Sequence, residues 1–372
     1  MSTDTGQAFE DSFVENDGTR YLTYLPFAGI SNQFYGMIRS MEVARALNRT
    51  LIIPPVTTSI HDKSGQNQPW SRFLDLDRFM DLQQIKVIEL HQLRNQHRAE
   101  HEQLQCHITC GFGSRRGVDH TAQKFLDQWK FNLTTTLFLD DDDDDKKLET
   151  IVSGLLEKPL RDRKFVCISN GFRITMDGRK EWSHFGQHLH FTEELEAFVK
   201  QILEKILHDD DDNKDDGARM VVDYSMKGRT PHHHRYIVVH ARRGDFLSYC
   251  SNRFTDKQLE QCQPSTEALS ARVSREQARL NPTLDASKNL PVLVTTNELR
   301  EEELQHFTDL GWRLLDHDKL RTLEAFGVFG PMMADQVLLA HAEVLISSRF
   351  STFSRIGAQR QRDWHGHAVE YM

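Results

Sequence analysis

No stretch of this 372-residue chain approaches the roughly 18 to 20 consecutive apolar residues that cross a bilayer, so a membrane-embedded helical fold is excluded for these residues. A basic stripe is missing too, and with it the electrostatic footprint of a nucleic-acid binder. No short-period internal repeat is visible, which argues against a solenoid or propeller. The first 18 residues are polar and acidic and lack the basic start and apolar core of an export signal. Cysteine is scarce. Five residues, Cys106, Cys110, Cys167, Cys250 and Cys262, allow two disulfides with one thiol left over.

What is present fits a globular protein, with 38% apolar and 27% charged residues. The length exceeds what one hydrophobic core usually supports, so two domains are expected. The net charge of -9 is local rather than general. It resides in the run Asp140 to Asp145 and in Asp209, Asp210, Asp211, Asp212, Asp215 and Asp216; outside these two stretches acidic and basic residues balance. Such runs repel themselves and read as solvated loops. Asn48-Arg49-Thr50 and Asn132-Leu133-Thr134 are glycosylation sequons.

Periodicity orders the rest. A β-prone run at 21–25 ends at Pro26 and the turn Phe27-Ala28-Gly29-Ile30. Ser31 is the expected cap of a helix in which Phe34, Met37, Ile38, Met41, Ala44 and Leu47 recur at the helical period. Residues 51–53 before Pro54-Pro55 complete a strand, loop, helix, strand opening of Rossmann type. From 70 to 200 the pattern is weaker, with a strand at 164–168 and a helix at 193–207. Beyond the second acidic stretch, apolar runs at 236–240, 291–295 and 343–347 read as buried parallel strands, alternating with helical patterns at 265–280, 300–310 and 334–342.

Three segments can carry chemistry. The first is His240-Ala241-Arg242-Arg243-Gly244-Asp245-Phe246, directly after a buried strand, where open α/β sheets bind ligands. Adjacent residues point to opposite sides, so one arginine is expected to face a diphosphate with its two-pronged guanidinium while the other pairs with a carboxylate such as Asp245, which falls to Arg243 if Arg242 takes the diphosphate. A surface turn stitched by an Arg–Asp pair would use the same residues. The second is Arg349-Phe350-Ser351-Thr352-Phe353-Ser354 at the start of a helix, where free N–H groups and hydroxyls make an anion site, with plain serine capping as the alternative. The third is Gly29-Ile30-Ser31-Asn32-Gln33, where Gly29 permits close backbone approach and Asn32 both donates and accepts.

These segments resemble the GDP-fucose protein O-fucosyltransferases, through the glycine loop ending in Asn32-Gln33, the run from Leu47 to Pro55, the HxRxGDF motif at 240–246, and a C-terminal Asp-Gln helix followed by Ser351-Thr352-Phe353. The resemblance covers 21–362. It implies an α/β fold of GT-B type, with two Rossmann-like doubly wound domains facing a cleft. On that reading 1–20 is a polar tail and 21–217 an acceptor-side domain with an acidic insertion at 140–147 and an acidic linker at 208–217. The GDP-sugar domain is then 218–372. The implied reaction is inverting transfer of fucose from GDP-fucose to a hydroxyl, that of Ser or Thr on a protein; a glycan acceptor and a GDP-sugar-binding pseudoenzyme are the alternatives. Implied site residues are Arg242 and Asn32 for catalysis, with His240, Arg242, Ser351, Thr352, Phe353 and Gly29 around the donor and Asp335 reading the guanine. Two departures stand out: Gly29 replaces a common arginine, and Ser31 replaces the glycine before the asparagine. The resemblance implies the lumen of the endoplasmic reticulum or Golgi, whereas a complete chain without export signal or anchor would be cytoplasmic.

No metal or other cofactor is expected, since leaving-group charge can be met by Arg242 and a helix end. The Asp140 to Asp145 run contains the DxD spacing of metal-dependent transferases only by repetition. His232, His233 and His234 read as a polar loop, and His101, Cys106, His107 and Cys110 match no zinc spacing; a local disulfide or free thiols is the expectation there.

Overall fold

A computed structural model describes residues 18–59, 65–94, 101–107, 118–136, 146–157, 160–208, 235–282 and 289–372. The acidic run at 140–145, the acidic stretch at 209–217, His232 to His234 and Cys110 lie outside the described residues. Packing divides the chain into two units, Met1–His190 and Phe191–Met372.

The first unit is built on a six-stranded sheet. Its strands are β1 (Tyr21–Tyr24), β2 (Thr50–Ile53), β3 (Val87–Glu89), β4 (Glu102–His107), β5 (Phe131–Thr136) and β6 (Phe165–Ile168). They run in the order β3-β2-β1-β6-β4-β5 and every pairing is parallel. Between β1 and β2 lies helix α1 (Ile30–Ala46), buried on most of its circumference, and α2 (Leu76–Gln83) precedes β3. Its cap is Gly29, so Ser31 sits inside the first turn and is buried rather than capping. Gly171 after β6 lets this helix approach closely, since a Cβ there would lie 2.5 Å from Ser40 Oγ and 2.6 Å from the Gly36 carbonyl. Lys146 and Lys147, expected to belong to the acidic insertion, form a two-residue strand paired with Ile174–Thr175.

Cys106 and Cys167 stand opposite each other on β4 and β6 and are joined by a disulfide, in place of the local bond or free thiols expected for Cys106. The parallel register brings their backbones together although 61 residues separate them in sequence.

The second unit opens with α3 (Glu193–His208), followed by β7 (Ile237–Ala241), α4 (Asp245–Ser251), α5 (Thr266–Leu280), β8 (Val292–Thr296), α6 (Glu301–Asp309), β9 (Arg313–Leu314), α7 (Gly330–His341), β10 (Val344–Ser347), α8 (Thr352–His365) and β11 (Ala368–Tyr371). The strands form one parallel sheet in the order β9-β8-β7-β10-β11. β7 is central and fully buried, and each aliphatic side chain it removes from water contributes about 1.5 to 3 kcal/mol. α3, which the sequence reading assigns to the first domain, packs here: Phe198 meets Phe326 at 5.2 Å and Glu196 lies 3.6 Å from His341 of α7. A second disulfide, Cys250–Cys262, ties α4 to the helix Asp256–Cys262.

Candidate functional site

Chain order and strand order disagree at one place in the second sheet. From β7 the chain proceeds outward to β8 and β9, then returns to the other side of β7 for β10 and β11. The loops leaving β7 and β10 therefore turn to opposite faces, and the crevice between them is where doubly wound sheets bind ligands. The two strand-end motifs predicted from the sequence are at this place. β7 ends in His240-Ala241 and runs into Arg242 to Asp245; β10 ends in Ser347 and runs into 348–353; and His240 is in register with Ser347.

Arg242 is partly exposed, and its Nη2 donates to both Asp245 oxygens at 2.7 and 2.9 Å. This corrects the expected pairing, which gave Asp245 to Arg243. Arg243 is only 4% exposed; its Nη1 donates to the Arg242 carbonyl at 3.3 Å. Burial pulls the Arg243 pKa below its ordinary value, while the charges of Glu303 and Glu298 oppose that shift. Gly244 explains the reversal. Its φ of 60° turns the backbone through a conformation other residues rarely adopt, and this brings Asp245 back to Arg242's side.

His240 is buried beneath Phe353, with ring centroids 5.0 Å apart, and its Nδ1 lies 2.9 Å from Thr295 Oγ1. Burial first, then the charges of Arg242 and Arg243, push its pKa down to about 3, so the ring is neutral at physiological pH. Its Nε2, Ser347 Oγ and Ser354 Oγ are buried without a partner among the described residues. Buried polar atoms are nearly always satisfied, so three orphans on the two strand ends and the first turn of α8 mark a place where a polar ligand fits.

Ser351 caps α8, its Oγ accepting from Ser354 N–H at 3.3 Å, so capping and anion binding share this segment. Thr352 and Phe353 open the helix, where N–H groups have no intrahelical acceptor. Gln336 of α7, noted in the sequence only as half of the Asp-Gln pair and given no role there, donates to the Phe353 carbonyl at 2.8 Å and so joins α7 to this turn. Its neighbour Asp335 is partly buried and faces His317 Nε2 at 3.2 Å; His317 Nδ1 lies 3.0 Å from Thr322 Oγ1. Burial raises the Asp335 pKa, with His317 opposing. Asn297, also missed, contacts the arginine turn. Its only signal in sequence is its position immediately after the apolar run of β8.

Gly29 and Asn32 belong to the first unit, at the corresponding reversal between β1 and β6. Gly29 is exposed, with extended rather than left-handed backbone and open space where a Cβ would stand. Asn32 Oδ1 is buried without a partner among the described residues. Gln33 is structural: it donates to the Ala28 and Thr57 carbonyls at 2.9 and 2.7 Å and accepts from Thr57 N–H at 2.9 Å. The loop holds no carboxylate of its own, but Asp119 accepts from Ala28 N–H at 2.8 Å. Among the described residues no group of three His, Cys, Asp or Glu side chains is arranged to hold a metal ion.

A family model, GDP-fucose protein O-fucosyltransferase, matches residues 21–365. No curated protein matches the chain by sequence. Among solved structures, POFUT1 in its apo form is 14% identical with a TM-score of 0.67, covering 96% of this chain and 99% of that one. POFUT1 in complex with GDP-fucose is 14% identical with a TM-score of 0.66, covering 95% and 98%. At such identities the likeness is one of fold: parallel sheets flanked by helices, the α/β class expected from the sequence.

Proposed function

The chain belongs to the GDP-fucose protein O-fucosyltransferase family and is a fucosyltransferase, and from that premise we propose that it transfers fucose from GDP-fucose to a protein Ser or Thr hydroxyl, with inversion and without a metal ion. The observation that carries the donor site is the meeting of the two strand-end motifs at the reversal of the second sheet, with unsatisfied polar atoms on both.

On this reading Arg242 leaves Asp245 and grips the β-phosphate, and the first-turn N–H groups of Thr352 and Phe353 with the Ser351 and Thr352 hydroxyls hold the phosphates. Neutral His240 adds a hydrogen-bonding nitrogen without adding charge. Asp335 exchanges His317 for the guanine N1–H and exocyclic amine. In the first unit, Asn32 orients the incoming hydroxyl, while Gly29 keeps its loop low. The acceptor oxygen bonds to the anomeric carbon as the bond from that carbon to the diphosphate breaks. The electron pair goes to the β-phosphate oxygen. Stabilising that charge is worth about 3 to 4 kcal/mol per well-placed donor. The acceptor hydroxyl's proton passes to the departing diphosphate or to water. Two disulfides fit an oxidising compartment, so we place the protein in the secretory lumen.

Calorimetric titration with GDP in EDTA tests the reading, and a failure to bind at millimolar GDP overturns it. Mass spectrometry after incubation with folded cysteine-rich domains and, separately, free oligosaccharides decides between protein and glycan acceptors. Absence of both transfer and GDP-fucose hydrolysis would leave a binding protein.

A further inference from the structure

The turn that carries Arg242 is fastened to the neighbouring strand end by the side chain of Asn297. β7 and β8 pair as far as Ala241 and Thr296, and there the backbone ladder stops. Thr296 Oγ1 then donates to the Ala241 carbonyl at 2.6 Å. The next residue, Asn297, replaces the missing rungs with its carboxamide: Oδ1 accepts from Arg243 N–H at 2.7 Å and Nδ2 donates to the Arg243 carbonyl at 3.0 Å. Nδ2 also donates to Asp245 Oδ1 at 3.1 Å, the same oxygen that receives Arg242 Nη2 at 2.7 Å. Gly244 makes room for this, because a Cβ there would lie 3.2 Å from Asn297 Nδ2.

A group that must accept from one backbone N–H and donate to the carbonyl of the same residue needs both functions a short distance apart. A carboxamide supplies them; a carboxylate has no donor and a hydroxyl is too small to span the pair. Fastening Arg243 alone would be a structural duty. The bond to Asp245 adds something else, since it fixes the carboxylate against which Arg242 rests. We infer that Asn297 is a positioning residue for the donor diphosphate: it sets the orientation of Arg242 through the turn and through Asp245, without touching the ligand itself. The inference rests on the reading of Arg242 as the diphosphate clamp.

A double-mutant cycle on the full chain, read by calorimetric GDP affinity, tests it. If Asn297 acts through Arg242, Asn297→Ala weakens GDP binding about tenfold in the wild-type background, the equivalent of one hydrogen bond to a charged group, and less than about twofold in an Arg242→Lys background. A general loosening of the fold would cost the same factor in both. Asn297→Asp, which keeps the acceptor for Arg243 N–H, is carried through the same cycle so that a folding failure of the alanine variant decides nothing alone. Its second carboxylate beside Asp245 holds Arg242 away from the diphosphate, so its loss exceeds that of alanine and shrinks at high salt. Wild-type affinity in both Asn297 variants, or equal losses with and without the Arg242 guanidinium, overturns the inference while the donor site stands. A wild-type chain that does not bind GDP overturns the donor reading and this role with it.

Discussion

Replacing Arg242 by lysine separates a diphosphate clamp from a surface ion pair. Lysine keeps the charge and gives up the planar fork, which typically costs about a hundredfold in turnover, near 2.7 kcal/mol, when the lost donor stabilises leaving-group charge. Part of that loss is offset, because the resting partner of Arg242 must be displaced before it can grip a phosphate. The side chains of Arg242 and Asp245 are 31% and 38% exposed, and a pair so open to water contributes under about 1 kcal/mol. The net expectation is a fall of about 20- to 70-fold in GDP-fucose turnover, with the thermal midpoint unchanged. Arg243→Lys should behave the other way. Its guanidinium is buried and bonded to the Arg242 carbonyl, so lysine there costs about 1 to 3 kcal/mol of stability and less turnover per folded molecule. The assay is turnover of purified variants alongside thermal unfolding. Wild-type turnover in Arg242→Lys, or a loss that tracks its melting temperature, would refute the reasoning.

Nucleotide choice tests Asp335: GDP should bind well above UDP, and Asp335→Ala should erase the difference, which competition calorimetry reads directly. The same residue has a pH signature. Burial opposes a charged His317, the Asp335 hydrogen bond and charge outweigh it, and the folded pKa of His317 lies above its ordinary 6.5. The stability this pair contributes is therefore complete below the unfolded value and lost as pH rises through the folded one. Melting temperature should fall for this reason as pH rises above the ordinary histidine value of 6.5, and Asp335→Asn should flatten that part of the profile. Ser351→Ala should cost about 1 kcal/mol in denaturant unfolding through loss of the α8 cap, whereas Thr352→Val should weaken GDP with little change in stability. Removing Cys106–Cys167 should destabilise the chain by about 4 kcal/mol and removing Cys250–Cys262 by about 3 kcal/mol, a ranking set by loop length and checked by unfolding of the serine pairs.

Strands buried on both faces were the most readable part of the fold. β7, β8 and β10 are continuous aliphatic runs because helices cover both sides of their sheet. β4 and β5 escaped notice because they sit toward one edge of the other sheet, where Glu102, Gln103 and Gln105 interrupt the apolar positions Leu104 and Cys106. Glu102 is itself buried, balanced by Arg94 at 2.6 Å, a compensation that depends on a partner outside the strand. α7 begins before the expected Ala334 because Pro331 is tolerated in a first turn. In the candidate site, His240 closes a buried strand while Arg242 and 351–353 come just after one, and that placement is why the sequence pointed to them. The partner of Asp245 was not: side-chain alternation fails once a glycine turns the chain with positive φ. Asn297 and Gln336 act by bonding backbone groups of distant segments, and composition carries no trace of that.

The central position of β7 bears on what ligand exchange can do to the molecule. Its backbone is locked on one side by β8 and on the other by β10, so it cannot shift without breaking ladders in both directions. Amides of Val238 and Val239 should exchange with deuterium only on global unfolding, in the free and the GDP-loaded protein alike. Local slowing on loading should appear at 242–246 and 349–354, and around His317 and Asp335 where the guanine is read. A tether or dye meant to follow donor binding therefore belongs on those turns, and a mass-spectrometric peptide spanning β7 serves as the internal clock for the rest of the unit.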